Sequence, residues 1–64
     1  MIPKRELIVT DMSDISTTYW LPAIAKMPTE ISDFFYFVTI DGEEVSLNSY
    51  DVSKMVLKPV TEEL

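Results

Sequence analysis

The chain has no cysteine and no histidine. Without cysteine no disulfide staples the fold, and without either residue the usual Cys/His zinc sites are excluded. Acid–base catalysis loses its commonest group, and covalent catalysis loses the thiol nucleophile. Glycine is nearly absent too: Gly42 is the only one. That excludes a glycine-rich phosphate loop and predicts few tight left-handed turns. Long apolar runs are missing. The longest spans 34–38, far short of the roughly 20 residues a membrane helix needs. Lys4, Arg5 and Glu6 interrupt any apolar stretch near the start, so no secretory signal is expected. The expectation is a soluble, cytoplasmic protein with no membrane partner and no cofactor.

Positive charge is missing from one long stretch. Residues 27–53 carry Glu30, Asp33, Asp41, Glu43, Glu44 and Asp51 and no Lys or Arg. Elsewhere the five bases cancel the other five acids, so the whole net charge of −6 lies in this segment. Direct nucleic-acid binding is disfavoured, because phosphate contacts need clustered bases. A basic protein partner fits, through steering of the encounter. Solubility alone is the plainer use of the same charge.

What is present is apolar and aromatic. The hydrophobic fraction is 47%, a globular composition and not a disordered one. Sixty-four residues make one domain, which buries only roughly 60% of the surface its unfolded chain exposes. Domains this small usually lean on a staple or a partner.

Residues 6–11 alternate like a strand, with Leu7 and Val9 on one face and Ile8 on the other. Apolar groups on both faces suggest neighbours on both sides. Residues 13–30 are ambiguous. Pro22 is tolerated only in a first helical turn, and Pro28 ends what precedes it, which predicts a short helix over 21–27. The segment ISTTYW carries strand formers and is the extended alternative.

Residues 34–48, FFYFVTIDGEEVSLN, read as a β-hairpin. Asp41-Gly42 between two apolar runs is the strongest short-range hairpin signal. A two-residue turn there pairs Val38 with Val45 and Tyr36 with Leu47. It places Phe34, Tyr36, Val38, Ile40, Val45 and Leu47 on a core face. Phe35 and Phe37 then point away, beside Glu44, Ser46 and Asn48. A four-residue loop keeps these faces, and a three-residue loop with a bulge does not. The cover expected for Phe35 and Phe37 is the helix at 21–27, a second copy or a partner. After Asn48, Met55 and Leu57 alternate with Lys54 and Val56 as in a final strand. Val52, Met55 and Val56 also fit a helical turn starting near Ser49. Pro59 marks a strand end, and 59–64 read as a frayed tail.

Catalytic constellations are poor. Ser53 and Lys54 point to opposite faces of a strand. Glu43 and Glu44 are adjacent and also face opposite ways. The DGEE loop fails as an EF-hand, because the twelfth position from Asp41 is Val52 and not an acid. The lone Trp of a small protein usually lies in the core, the plainer reading of Trp20; the alternative is an interface anchor, because an extended chain turns Tyr19 and Trp20 to opposite faces and the core easily claims only one.

The resulting expectation is one small domain over 1–64 of α+β class. It is mainly β: a small antiparallel meander or barrel-like sheet with one short helix. The expected role is a non-enzymatic acidic protein-binding module. It would act as an inhibitor blocking a basic, nucleic-acid-handling protein, in the manner of a phage-encoded inhibitor or an immunity-type protein. Its charge would come from Asp33, Asp41, Glu43, Glu44 and Asp51, and its anchor from Trp20, Phe35 and Phe37. The alternative is a homo-oligomeric module associating through the 34–48 hairpin or an edge strand.

Overall fold

A computed structural model describes residues 2–61. The chain forms β1 (Lys4–Asp11), β2 (Ser16–Pro22), β3 (Glu30–Ile31), β4 (Phe34–Val38) and β5 (Glu44–Asn48). A single 3-10 turn (Ser49–Asp51) then leads into β6 (Val52–Leu57). The strands build two antiparallel three-stranded sheets, ordered β2-β1-β6 and β3-β4-β5. The fold is therefore mainly β, as its composition of branched and aromatic residues favours, but as two small sheets in place of one meander.

Strand β1 lies at the centre of the first sheet, between β2 and β6. Its inward residues Leu7 and Val9 are buried, as is Leu21 opposite Arg5. Tyr19, Met55 and Leu57 from the same sheet, and Phe37 and Leu47 from the second, pack against these three. The core is thus the layer between the sheets.

The helix expected over 21–27 does not form. Leu21 and Pro22 close β2, and the chain continues through 23–29 as an irregular crossing. Burying Leu21 requires the extended conformation, and Pro22 fits at a strand end. The crossing is pinned where Ala25 N–H donates to the Pro22 carbonyl (3.0 Å) and the Arg5 guanidinium donates to the Ala25 carbonyl (2.8 Å). Ile24, expected to cover Phe35 and Phe37, is 90% exposed.

The β4–β5 hairpin exists, but its register differs from the expected one by a single residue. Phe35 pairs with Leu47, Phe37 with Val45 and Val38 with Glu44. The Gly42 N–H donates to the Thr39 carbonyl and the Thr39 N–H to the Glu43 carbonyl, both at 2.9 Å. Gly42 has φ +89, whereas Asp41 is not among the positive-φ residues, so the turn is not the two-residue type I′. It is a three-residue loop closed by a left-handed glycine, and that odd length reverses the side chains of β4 relative to those of β5, whose Val45 and Leu47 keep the expected inward side. Two further bonds select it: Glu43 N–H to the Thr39 hydroxyl (3.1 Å) and Ile40 N–H to the Trp20 carbonyl (2.8 Å).

The β1–β2 turn repeats the design. Asp14 N–H donates to the Asp11 carbonyl (3.1 Å) and Asp11 N–H to the Ile15 carbonyl (3.0 Å), with Asp14 at φ 64 in the glycine position. The Asp11 carboxylate accepts from the Ser13 and Ile15 N–H groups. The two-residue turn with both φ positive occurs elsewhere, at Ser32 (51°) and Asp33 (71°), between β3 and β4. Three left-handed positions are therefore held without glycine, contrary to the expectation from a chain with one.

These positions predict substitutions of opposite sign. No atom lies within 4 Å of a Cβ built on Gly42, so Gly42→Ala meets no neighbour and pays only the strain of a side chain at φ +89, about 1 kcal/mol. Replacing Ser32-Asp33 by Asn-Gly, the preferred pair for this turn, should gain about 1 kcal/mol. Thermal melts should move down and up respectively, each by roughly 4–8 °C. Unchanged or same-sign shifts would contradict these turn assignments.

The final strand combines both readings of its sequence. Asn48 caps the 3-10 turn by accepting from the Tyr50 N–H (2.9 Å). Thr10 pairs with Lys54 and Asp11 with Val52, leaving Ser53 as an extra, bulged residue. The bulge turns Val52 and Met55, three apart, toward the same core. Beyond Pro59, Thr61 bridges Lys4 through two backbone bonds (2.8 and 3.2 Å); 62–64, the rest of the expected frayed tail, lie outside the described residues. No helix among the described residues is long and apolar enough to cross a membrane.

Candidate binding face

The reversed register decides which rings meet solvent. Phe37 faces inward, packs on the core and meets Tyr19 edge-on at 5.0 Å between ring centroids. Phe35 is half-buried on the same side, opposite Leu47. Both were expected to look outward, and that expectation is corrected: Phe37 packs on the core, and Phe35, on the same side, lines a groove with Met27, Pro28, Val52 and Met55. Their neighbours are the exposed ones. Phe34 is 36%, Tyr36 52%, Val38 50% and Ile31 58% accessible. Ile31 pairs directly with Phe34, so the four share the outer face of the second sheet. The Phe34 and Tyr36 rings are 6.1 Å apart. Beside them on β5 stand Glu44, Ser46 and Asn48, all exposed.

The acids expected to act together divide between two ends. Asp41, Glu43 and Glu44 sit at and beside the β4–β5 turn, all exposed. Asp33 lies in the β3–β4 turn, at the other end of β4. Its carbonyl accepts from Ser49 N–H (2.9 Å) at the start of the 3-10 turn that holds Asp51. The five residues of β4 separate the two groups by roughly 17 Å. The exposed stripe Phe34–Tyr36–Val38 runs between them, so carboxylates bracket it at both ends.

Trp20 is outward-facing as an extended β2 requires, but on the other sheet. Its ring is 38% exposed, and the Lys4 ammonium lies 4.5 Å above it. It does not join the stripe. Phe35 and Asp33 meet in a different place, an open groove of about 530 Å³ floored by Met27, Pro28, Val52 and Met55. Asp51 borders a second hollow, about 330 Å³, with Tyr19 and Leu47. No set of three or more carboxylates able to hold a metal ion occurs among the described residues.

The exposed set Ile31, Phe34, Tyr36 and Val38 was missed by reading Asp41-Gly42 as the whole turn. A signal for it was present. A hydroxyl or carboxylate residue at the first turn position with glycine at the fourth favours a type I turn, and Thr39 and Gly42 have that spacing. Asp11 and Asp14 have it too, with Asp14 in place of the glycine.

Comparison with protein-family models, with curated proteins and with solved structures finds no match to this chain.

Proposed function

We propose that the chain is a non-enzymatic protein-binding module whose working surface is the outer face of the second sheet. The observation that carries this reading is the exposed stripe of Ile31, Phe34, Tyr36 and Val38 in a segment with no positive charge. Full burial of one such side chain is worth roughly 1.5–3 kcal/mol, a large share of what a domain this small has in total. A face of this kind, rimmed by charge, has the make-up of an interaction site. The aromatic rings serve as anchors. Asp33 at one end and Asp41, Glu43 and Glu44 at the other supply complementarity to a basic surface.

The partner class this suits is a basic, nucleic-acid-handling protein, with the two carboxylate groups standing where phosphates of its substrate would lie. On this reading the chain is an inhibitor that occludes a nucleic-acid site. The anchor moves from Phe35 and Phe37 to Phe34 and Tyr36, and Trp20 lies outside it.

Capture experiments on the immobilised chain test the proposal. A partner retained at about 50 mM salt should be released as salt rises toward about 500 mM, and duplex DNA should compete for it. Tyr36→Lys, and the pair Glu43→Lys with Glu44→Lys, should each lose capture. Retention that ignores both salt and these substitutions removes the proposal.

A further inference from the structure

The outer face of the first sheet has the opposite character. Lys4, Glu6, Ile8, Thr10, Thr18, Trp20, Lys54 and Val56 alternate outward from strands whose inward residues form the core. Side-chain contacts confirm the shared face. Thr10 and Ser16 hydroxyls meet at 2.9 Å, the Thr18 hydroxyl donates to the Glu6 carboxylate at 3.3 Å, and the Lys58 ammonium lies 3.8 Å from it. Among the described residues, Lys4, Lys54 and Lys58 stand here with one acid, Glu6. Trp20 and Val56, each 38% exposed, supply apolar surface between them. The second sheet's outer face carries Glu44 and no base, with Asp33, Asp41 and Glu43 at its ends.

We propose that this basic, apolar face is itself a ligand for the acidic aromatic face, so that copies of the chain stack head to tail, first sheet upon second sheet. The inference rests on the reading of the second sheet's outer face as a binding surface and names one occupant for it, a second copy. Like-on-like stacking would set Glu44 against Glu44, or Lys54 and Lys58 against themselves, and like charges in a contact cost several kcal/mol. The unlike pairing sets Lys54 and Lys58 against the carboxylate-rimmed face and Trp20 near Phe34 and Tyr36. The long-range repulsion between two copies of charge −6 is screened beyond about 8 Å at physiological salt, so the contacting groups decide. A head-to-tail contact that does not close extends as an open chain. A basic partner then competes with the neighbouring copy for the same surface.

Sedimentation velocity at physiological salt tests this with two variants that alter only exposed positions. One is Lys54→Glu with Lys58→Glu; Lys54→Glu alone serves as a second version that leaves the Glu6–Lys58 pair intact. The other is Tyr36→Lys with Glu44→Lys. The wild-type mass should rise steadily with concentration. Each variant alone should associate at least about tenfold more weakly, and an equimolar mixture of the two should form 1:1 pairs that grow no further. A wild type that stays monomeric to about 1 mM, a variant that associates like wild type, or a mixture no better than its components overturns the inference. The Lys54→Glu/Lys58→Glu chain keeps the acidic face. If stacking fails while this variant still captures a basic partner, only the stacking falls; if Tyr36→Lys also leaves capture intact, both readings fall.

Discussion

Leu7→Ala should leave the folded state marginal at 25 °C. Leu7 is wholly buried on the central strand of the first sheet, paired with Tyr19 on one side and Leu57 on the other. Removing a buried leucine's branch costs about 2–5 kcal/mol, from lost transfer energy and the cavity left behind. A core of this size rarely supplies more than about 3–5 kcal/mol of net stability. Among the described residues only Leu7, Val9 and Leu21 are buried hydrophobics, and a cavity at Leu7 is shared by both sheets, so repacking has little to draw on. The variant's thermal melt, followed in the far UV, should fall by at least about 8 °C, and unfolded amide resonances should appear beside the folded ones. A cooperative transition within a few degrees of wild type would show that the core lies elsewhere.

Phe37→Ala and Tyr36→Ala should differ sharply, although they remove adjacent rings. Phe37 packs on the buried core and meets Tyr19 edge-on, so its loss should cost roughly 2–4 kcal/mol, somewhat under the figure for a fully buried phenylalanine. Tyr36 is 52% exposed on the outer face and should cost under about 1 kcal/mol. Urea midpoints measure both. The reverse ranking would mean that the hairpin closes with two loop residues after all, because a one-residue slip exchanges the two faces.

That sensitivity explains how much of this fold can be read from the residues. β1 is legible because Leu7 and Val9 alternate with polar or less buried neighbours. β5 is legible because Val45 and Leu47 alternate strictly with Glu44, Ser46 and Asn48. β4 is apolar on both faces, so its pattern prefers neither register, and the choice passes to the turn. There the Asp-Gly pair suggests one geometry, while Thr39, four residues before Glu43, stabilises the other through its hydroxyl. The Ile40–Trp20 bond that reinforces it is a contact between sheets, invisible to any local pattern.

The helix over 21–27 failed for a related reason. Pro22 admits a first helical turn and a strand end equally, and the burial of Leu21 between the sheets selects the strand. β3 is two residues long and is held by a turn of Ser32 and Asp33, of which only Asp33 is of a type that favours positive φ, so no periodicity announces it. The acids near the aromatic face are legible as residues, but their division between the two ends of β4 follows from the topology. The rings beside them were assigned to the wrong side by the same single-residue slip.

The matched loops at 11–15 and 39–43 place an unusual demand on the gene. Connecting segments ordinarily absorb added or lost residues with little harm. Here one inserted or deleted codon in the second loop would transpose the dry and wet sides of β4, sending Phe34 and Tyr36 inside and Phe37 out. Drift among homologous chains should therefore spare the spacing between these hairpin strands even where the letters change, and point replacements on the aromatic face should outnumber changes in loop length.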